Sequence, residues 1–279
     1  MRLPPKGKIV PFPEKKVMPA NIIALLTDFG YPDPFVGMMK GVILGINPAV
    51  RLVDLTHQIE AGDIEGAAFI LKHSLPFFPP GTIFLAVVDP GVGSARNPLL
   101  IESGGKYFIG PDNGLFYPAL APGAFKAYKL DSPQYHLKKI SSTFHGRDLF
   151  APAAAHLSLG VPPSELGGPV KEIVRLELPQ AKPEGDFIRC EVVQVDRFGN
   201  LITNLEAGAV QNRQIKEIEI KDRVIRELCT HYAEKPAGEL LAVWDGFSRL
   251  EIAVNRGNAA QLLGAGKKTR VVVKLEAES

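Results

Sequence analysis

Three short apolar runs, each stopping at a polar turn, constrain the fold more than any other feature of this chain. They are residues 22–26 (IIALL), ended by Thr27-Asp28-Phe29-Gly30; residues 50–55, ended by Thr56-His57; and residues 82–88, ended by Asp89-Pro90-Gly91-Val92-Gly93. Continuous apolar runs bounded by turn residues read as buried strands. Two segments with helical character lie between them. In 34–46, Phe35, Met38, Met39, Val42, Ile43 and Ile46 recur at helical spacing and stop at Asn47-Pro48, as a helix must before proline. Residues 63–75 form the second, ended by Pro79-Pro80-Gly81. Strand, helix, strand, helix, strand at this spacing predicts an α/β domain with a largely parallel sheet. In such open sheets ligands bind beyond the carboxyl ends of the strands, and Asp28 and Asp89 fall at such ends.

Further along, 99–102 and 107–109 bracket Ser103-Gly104-Gly105, which reads as a hairpin, and Pro111-Asp112-Asn113-Gly114 is another turn. Residues 147–158 are alanine-rich and read as a helix packed closely on its neighbours. After about Gly168 the texture changes, and 178–185, with two prolines and a glycine, suits a linker. The strings IRCEVVQVD, NLITNL, IKEIEI, RVIREL, LLAVW, RLEIAV and TRVVVKL then read as short strands of a smaller all-β, barrel-like domain. The expected organisation is an N-terminal tail at 1–20, the α/β domain at 21–175 and the β domain at 185–279.

At 279 residues the chain has ample core for this plan. Its 32 basic and 30 acidic residues leave a formal charge of +2, which supplies no electrostatic footprint for nucleic acid. Only Cys190 and Cys229 are present, so there is no disulfide framework and no CxxC motif. The first residues lack the apolar core of a signal peptide, and no apolar run is long enough to span a bilayer. A cytoplasmic, soluble protein without membrane or nucleic-acid partners is expected.

Four constellations carry candidate chemistry. Asp28 at a strand end suits hydrogen bonding to the vicinal diol of a ribose, and equally suits a helix N-cap or Asx-turn. Asp89-Pro90-Gly91-Val92-Gly93 with Arg96 makes a tight turn that lets a ligand approach the backbone, or simply a turn closed by an ion pair. His145, beside Gly146 at the start of a helical segment, is accessible and titrates near neutrality. It has Asp148 at helical spacing, yet no HExxH or other ligand set accompanies it. In Asp196-Arg197-Phe198-Gly199-Asn200, the aspartate can pair with an ammonium group and the asparagine can read an adenine edge, while the string also makes a good β-turn.

Together these strings resemble the S-adenosylmethionine hydrolase family, also called SAM hydroxide adenosyltransferases, which is related to fluorinase and chlorinase. The matching motifs, in order, are TDFG (27–30), DPGVG with Arg96, IGPDNGL (109–115), FHGRDLFAPAAAH (144–156), DRFGN (196–200) and LEIAVNRGNA (250–259). The resemblance implies a homotrimer with active sites between subunits, and hydrolysis of S-adenosyl-L-methionine to adenosine and L-methionine without metal or cofactor. It places the catalytic Asp–Arg–His set on Asp89, Arg96 and His145. Ribose contact falls on Asp28, with Asp33 near the methionine end, and the methionine and adenine contacts fall on Asp196 and Asn200, with Asn255 in the last motif. Where the family usually carries a serine for the methionine carboxylate, this chain has Gly246, and Ser248 and Arg249 stand nearby in its place.

The implied chemistry suits these residues. A sulfonium is already an excellent leaving group, so the task is to place and activate water in line with C5′. Arg96 lowers the pKa of a bound water, Asp89 orients the set, and His145 accepts the proton. Halogenases of the group carry tyrosine in place of His145, so His145 with Arg96 points to hydroxide rather than halide. A SAM-dependent halogenase-like enzyme, or a non-catalytic adenosine- or SAM-binding protein, is the alternative.

Overall fold

The computed structural model describes residues 21–121, 123–210 and 213–276, and the expected N-terminal tail at 1–20 lies outside them. The chain divides between Glu177 and Leu178 into two units, each taken here by itself.

The first unit runs β1 (Ile22–Thr27), α1 (Phe35–Ile46), β2 (Arg51–Thr56), α2 (Ile64–Ser74), β3 (Ile83–Val87), β4 (Pro98–Ser103), β5 (Lys106–Pro111), β6 (Phe125–Lys129), α3 (Ala151–Ser158) and β7 (Pro169–Val170). One sheet takes the order β2-β1-β3-β5-β4-β6-β7. Alternation along β1 and β3 explains why their sequences are apolar throughout, whereas β2, at the sheet edge and carrying Arg51 and Asp54, is largely exposed rather than the buried strand expected. Ile23 and Leu25 of β1 pack with Met39 and Ile43 of α1 on one face, whereas Ala24 and Leu26 pack with Ala67 and Leu71 of α2 on the other. β3 divides in the same way, Ile83, Leu85 and Val87 against Phe84 and Ala86. Both faces are covered, so both sets of side chains must be apolar. Asp63 caps α2, its Oδ1 accepting the Gly66 N–H at 3.0 Å.

The expectation of a largely parallel sheet is corrected. The pairs β1–β2, β1–β3 and β3–β5 are parallel, but β4–β5, β4–β6 and β6–β7 are antiparallel, so the sheet is mixed. For β4–β5 the cause is the hairpin at Gly104 and Gly105, whose φ angles are +56° and +72°. Two successive left-handed residues make the tight turn that joins antiparallel strands and leaves no chain for a crossover helix.

The second unit holds β8 (Lys182–Glu184), β9 (Phe187–Val195), β10 (Leu201–Glu206), β11 (Ile215–Ile220), β12 (Arg223–Ile225), β13 (Leu228–Cys229), β14 (Leu240–Trp244), β15 (Arg249–Val254) and β16 (Arg270–Leu275). Their path, β12-β11-β16-β9-β10-β15-β14-β13, is a nearly closed, barrel-like sheet. Period-two burial runs along β9, with Ile188, Cys190 and Val192 inside. The stretch read as a linker contains β8, which pairs antiparallel with β9. Gly185, at φ +60°, turns the chain there, and Pro183 is tolerated because β8 is an edge strand. A short helix, Ala259–Leu263, is capped by Asn258. Among the described residues no helix is long and apolar enough to cross a membrane.

Leu85 is fully buried on the central strand β3. Leu85→Ala is expected to lower the unfolding free energy by about 2–5 kcal/mol, the usual cost of such a core truncation, as read by denaturant titration.

Candidate active site

The order β2-β1-β3 makes the gap between β1 and β3 a topological switch point, because the chain leaves β1 to one side through α1 and returns on the other through α2. That crevice is where open α/β sheets bind ligands. The register pairs Thr27 with Val87, so the residues that follow each, Asp28 on one strand and Val88-Asp89 on the other, emerge side by side. A cavity of about 310 Å³ opens there, lined by Asp28, Asp89 and His145 among polar groups and by Phe29, Phe35 and Phe144 among aromatic ones.

Arg96 is the hub of the site. Its Nε donates to both Asp89 carboxylate oxygens at 3.0 Å and its Nη2 donates to Oδ2. The same Nη2 reaches His145 Nδ1 at 2.9 Å, and the guanidinium sits 5.3 Å from the centroid of the buried Phe150 ring. Side-chain exposure is only 9% for Arg96 and 5% for Asp89. Arg96 thus links Asp89 to His145 by hydrogen bonds.

Close packing brings His145 to this turn. Gly93 has φ +79°, and a Cβ there would stand 2.5 Å from the Ser142 carbonyl oxygen, so a side chain would push the loop 141–146 off the Asp89–Arg96 turn. Asp148, fully buried, fastens that loop from behind by accepting from Ser141 N–H at 2.7 Å and from Arg147 Nε at 2.6 Å. His145 leads into a π-helical turn, Gly146–Phe150, a departure that often marks functional positions. Phe29, Phe35 and Phe144 pack edge to face at 5.3–5.9 Å and wall the cavity.

A guanidinium offers no acceptor, so His145 Nδ1 must accept from Arg96, and the neutral ring carries its proton on Nε2. Burial and then the Arg96 charge hold His145 below its ordinary 6.5, against an opposing pull from Asp89 and Asp148. Both Asp148 oxygens are engaged by Arg147 and Ser141. Among the described residues no group of three or more His, Cys, Asp or Glu side chains is placed to hold a metal ion.

The other candidates are placed as follows. Asp28 caps no helix; its Oδ2 accepts the Gly62 N–H at 2.9 Å, and it faces the cavity. Asp33 is exposed before α1 and does not line that cavity. In the second unit, Asp196 Oδ1 accepts from the Phe198 and Asn200 N–H groups at 2.8 Å, and its Oδ2 accepts from Asn200 Nδ2 at 3.0 Å. Asp196 and Asn200 thus form a tight turn that fixes both side chains. Ser248 is exposed at φ +60°. Arg249 is buried, donating to Asn204 O at 2.9 Å and to Glu206 Oε1 at 2.7 Å. Asn255 Nδ2 donates to the Lys235 carbonyl at 2.6 Å.

Models of the SAM hydroxide adenosyltransferase N-terminal and C-terminal domains match residues 23–167 and 190–272. The chain belongs to that family. It is 41% identical over 254 residues to a (R)-S-adenosyl-L-methionine hydrolase of Thermus thermophilus, covering 87% of this chain and 95% of the relative. To the enzyme of that name from Salinispora tropica it is 37% identical over 259 residues, covering 91% and 98%. A fluorinase of an Actinoplanes species is 31% identical over 221 residues, covering 67% and 74%. The crystal structure of an uncharacterized conserved protein from Thermotoga maritima superposes with a TM-score of 0.83 at 32% identity, covering 90% of this chain and 99% of that one.

For this SAM hydroxide adenosyltransferase family member, sequence reasoning missed the aromatic wall and the buried Phe150 beneath Arg96. Phe29 and Phe144 sit inside the TDFG and FHGRD strings, but nothing in the sequence brings them to Phe35. Gly93→Ala is expected to cost about 1–3 kcal/mol from the left-handed backbone alone. It should also displace 141–146, which a shift of the His145 ring resonances in NMR spectra would register.

Proposed function

We propose that this chain hydrolyses S-adenosyl-L-methionine to adenosine and L-methionine, using Asp89, Arg96 and His145 to handle the attacking water and Asp28 to hold the ribose. The observation that carries this reading is the hydrogen-bonded string from Asp89 through Arg96 to His145 on the wall of the cavity that Asp28 also lines. Relatives named (R)-S-adenosyl-L-methionine hydrolases support the reaction.

The attacking oxygen forms a bond to C5′ as the C5′–S bond breaks, and the electron pair of the broken bond stays on sulfur, turning the sulfonium into the thioether of methionine. No acid is needed to expel that group. The Arg96 charge stabilises a nucleophile with hydroxide character. Proton abstraction by His145 requires Nδ1, which Arg96 holds. The geometry favours a neutral His145 that fixes the guanidinium and offers Nε2–H. The proton is instead lost to solvent as Arg96 stabilises the hydroxide, and attack by that hydroxide yields the neutral 5′-hydroxyl of adenosine directly.

The adenosine-forming reading is tested by product analysis. Wild type is expected to release adenosine, and Arg96→Ala is expected to lose most of that activity; equal adenosine from both would sink the mechanism. His145→Ala should lower kcat by roughly 10²-fold, the lower end for acid–base or orienting groups. His145→Gln, which still accepts from Arg96 but is no base, should recover most of the loss; a glutamine variant as poor as alanine would restore the general-base role. The rate should also fall as pH drops through the His145 pKa, which lies below 6.5, because a protonated Nδ1 would face the Arg96 cation.

The fluorinase relatives favour a second nucleophile, halide. Incubation with chloride separates the two: 5′-chloro-5′-deoxyadenosine in place of adenosine would replace the present reading. Contacts from Asp33, Asp196, Asn200, Ser248 and Asn255 to the substrate, and assembly as a homotrimer, belong to the same proposal. Of the methionine-end candidates, Arg249 is the weakest, since its guanidinium is engaged by Glu206 and Asn204. Native mass measurement tests the trimer.

A further inference from the structure

Behind the cavity a polar string runs through the first unit that the proposed chemistry does not use. Lys40 of α1 donates to Asp54 Oδ2 at 2.6 Å. His57 Nε2 stands 3.1 Å from Asp54 Oδ1, an ion-pair distance without hydrogen-bond alignment, and His57 Nδ1 lies 2.8 Å from Thr27 Oγ1. Thr27 Oγ1 in turn accepts the Phe29 N–H at 3.3 Å, while the His57 carbonyl accepts the Gly30 N–H at 2.7 Å. Tyr31 packs edge-on against the imidazole at 5.4 Å.

Thr27 and His57 are both fully buried. A buried imidazole and hydroxyl cost free energy unless each polar atom is used, and apolar side chains would fill the same space without that cost. Asp54 can only accept, so electrostatics place the ring proton on Nε2. Nδ1 then accepts from the Thr27 hydroxyl, whose oxygen is left to accept from Phe29. Burial raises the Asp54 carboxyl pKa, but the contacts from Lys40 and His57 outweigh it and hold the group below its usual range. The contacts bracket one residue. Thr27 precedes Asp28, Phe29 and Gly30 follow it, and all three are tied to His57 directly or through the Thr27 hydroxyl.

We propose that Thr27 and His57, backed by Asp54 and Lys40, are positioning residues that set the Asp28 carboxylate toward the vicinal diol of the ribose. They govern affinity for nucleoside and substrate rather than the rate of C–S cleavage. This inference rests on Asp28 holding ribose, as proposed above.

The test uses the full chain, with adenosine binding measured by calorimetry and S-adenosyl-L-methionine turnover measured at steady state. Thr27→Val keeps the shape and removes the hydroxyl. It is expected to raise both the adenosine Kd and KM about tenfold, the scale of one lost hydrogen bond, with kcat within about twofold. Thr27→Ser should restore both constants. An unchanged Kd in Thr27→Val, or a fall in kcat without a rise in Kd, overturns the proposal. Should Thr27→Val fail to fold, Lys40→Met at the partly exposed end of the string is read instead: a rise in Kd of about twofold or more supports the relay, and an unchanged Kd overturns it. A wild-type chain that neither binds adenosine nor forms it removes the proposed function and this inference with it. A wild type that does both, with the variants unaffected, removes the relay alone.

Discussion

Parallel pairing of β1 with β3 is the constraint on which the rest of the first unit depends. A parallel neighbour requires the chain to travel the length of the sheet and back, so α1 and α2 must cover the two faces. Both strands therefore end on the same edge, and the register of Thr27 with Val87 brings Asp28 and Asp89 together there. A slip of one residue would exchange the side chains that face α1 and α2. In β1 the small Ala24 would then trade places with Leu25, and the packing on both faces resists it.

On that edge the dominant electrostatic element is the Asp89–Arg96 pair. Ion pairs removed from water gain little net stability, because desolvation offsets most of the attraction. A nearly buried pair at the mouth of a strand is therefore better understood through what it does to its neighbours. Arg96, held in a fork by Asp89 and resting on the Phe150 ring, is rigid enough to dictate which nitrogen of His145 is bare. The loop that carries His145 is held by the left-handed Gly93, the π-helical turn and the carboxylate of the buried Asp148.

Much of this was legible in the chain. The three apolar runs became β1, β2 and β3, although β2 is largely exposed, and the helical segments became α1 and α2. Six of the seven strand-like strings of the second half each fall on one strand, whereas RVIREL is broken at 226–227 between β12 and β13. Ser103-Gly104-Gly105 is recognisable as a hairpin, but a turn fixes only its own two strands and leaves the direction of the rest of the sheet open. β8 was hidden because Pro183 and Gly185 are turn residues by composition, and only an available edge on β9 makes a strand of three residues worthwhile. Phe150, Thr27 and His57 resembled ordinary core and turn residues, because a one-dimensional pattern records burial and not which atom a buried side chain faces.

By itself the sequence determined the class of each element and which turns carry titratable groups, since periodicity and turn chemistry are local properties. Six ordered motifs also tied Asp89, Arg96 and His145 to one family. The tertiary structure alone decided that Arg96, not Asp89, is the centre of that trio, and that His145 Nδ1 is an acceptor. It likewise decided that Arg249 is committed to Glu206 and Asn204. Those outcomes depend on distances between residues far apart in the chain, which are set by sheet register and close packing and leave no trace in local spacing.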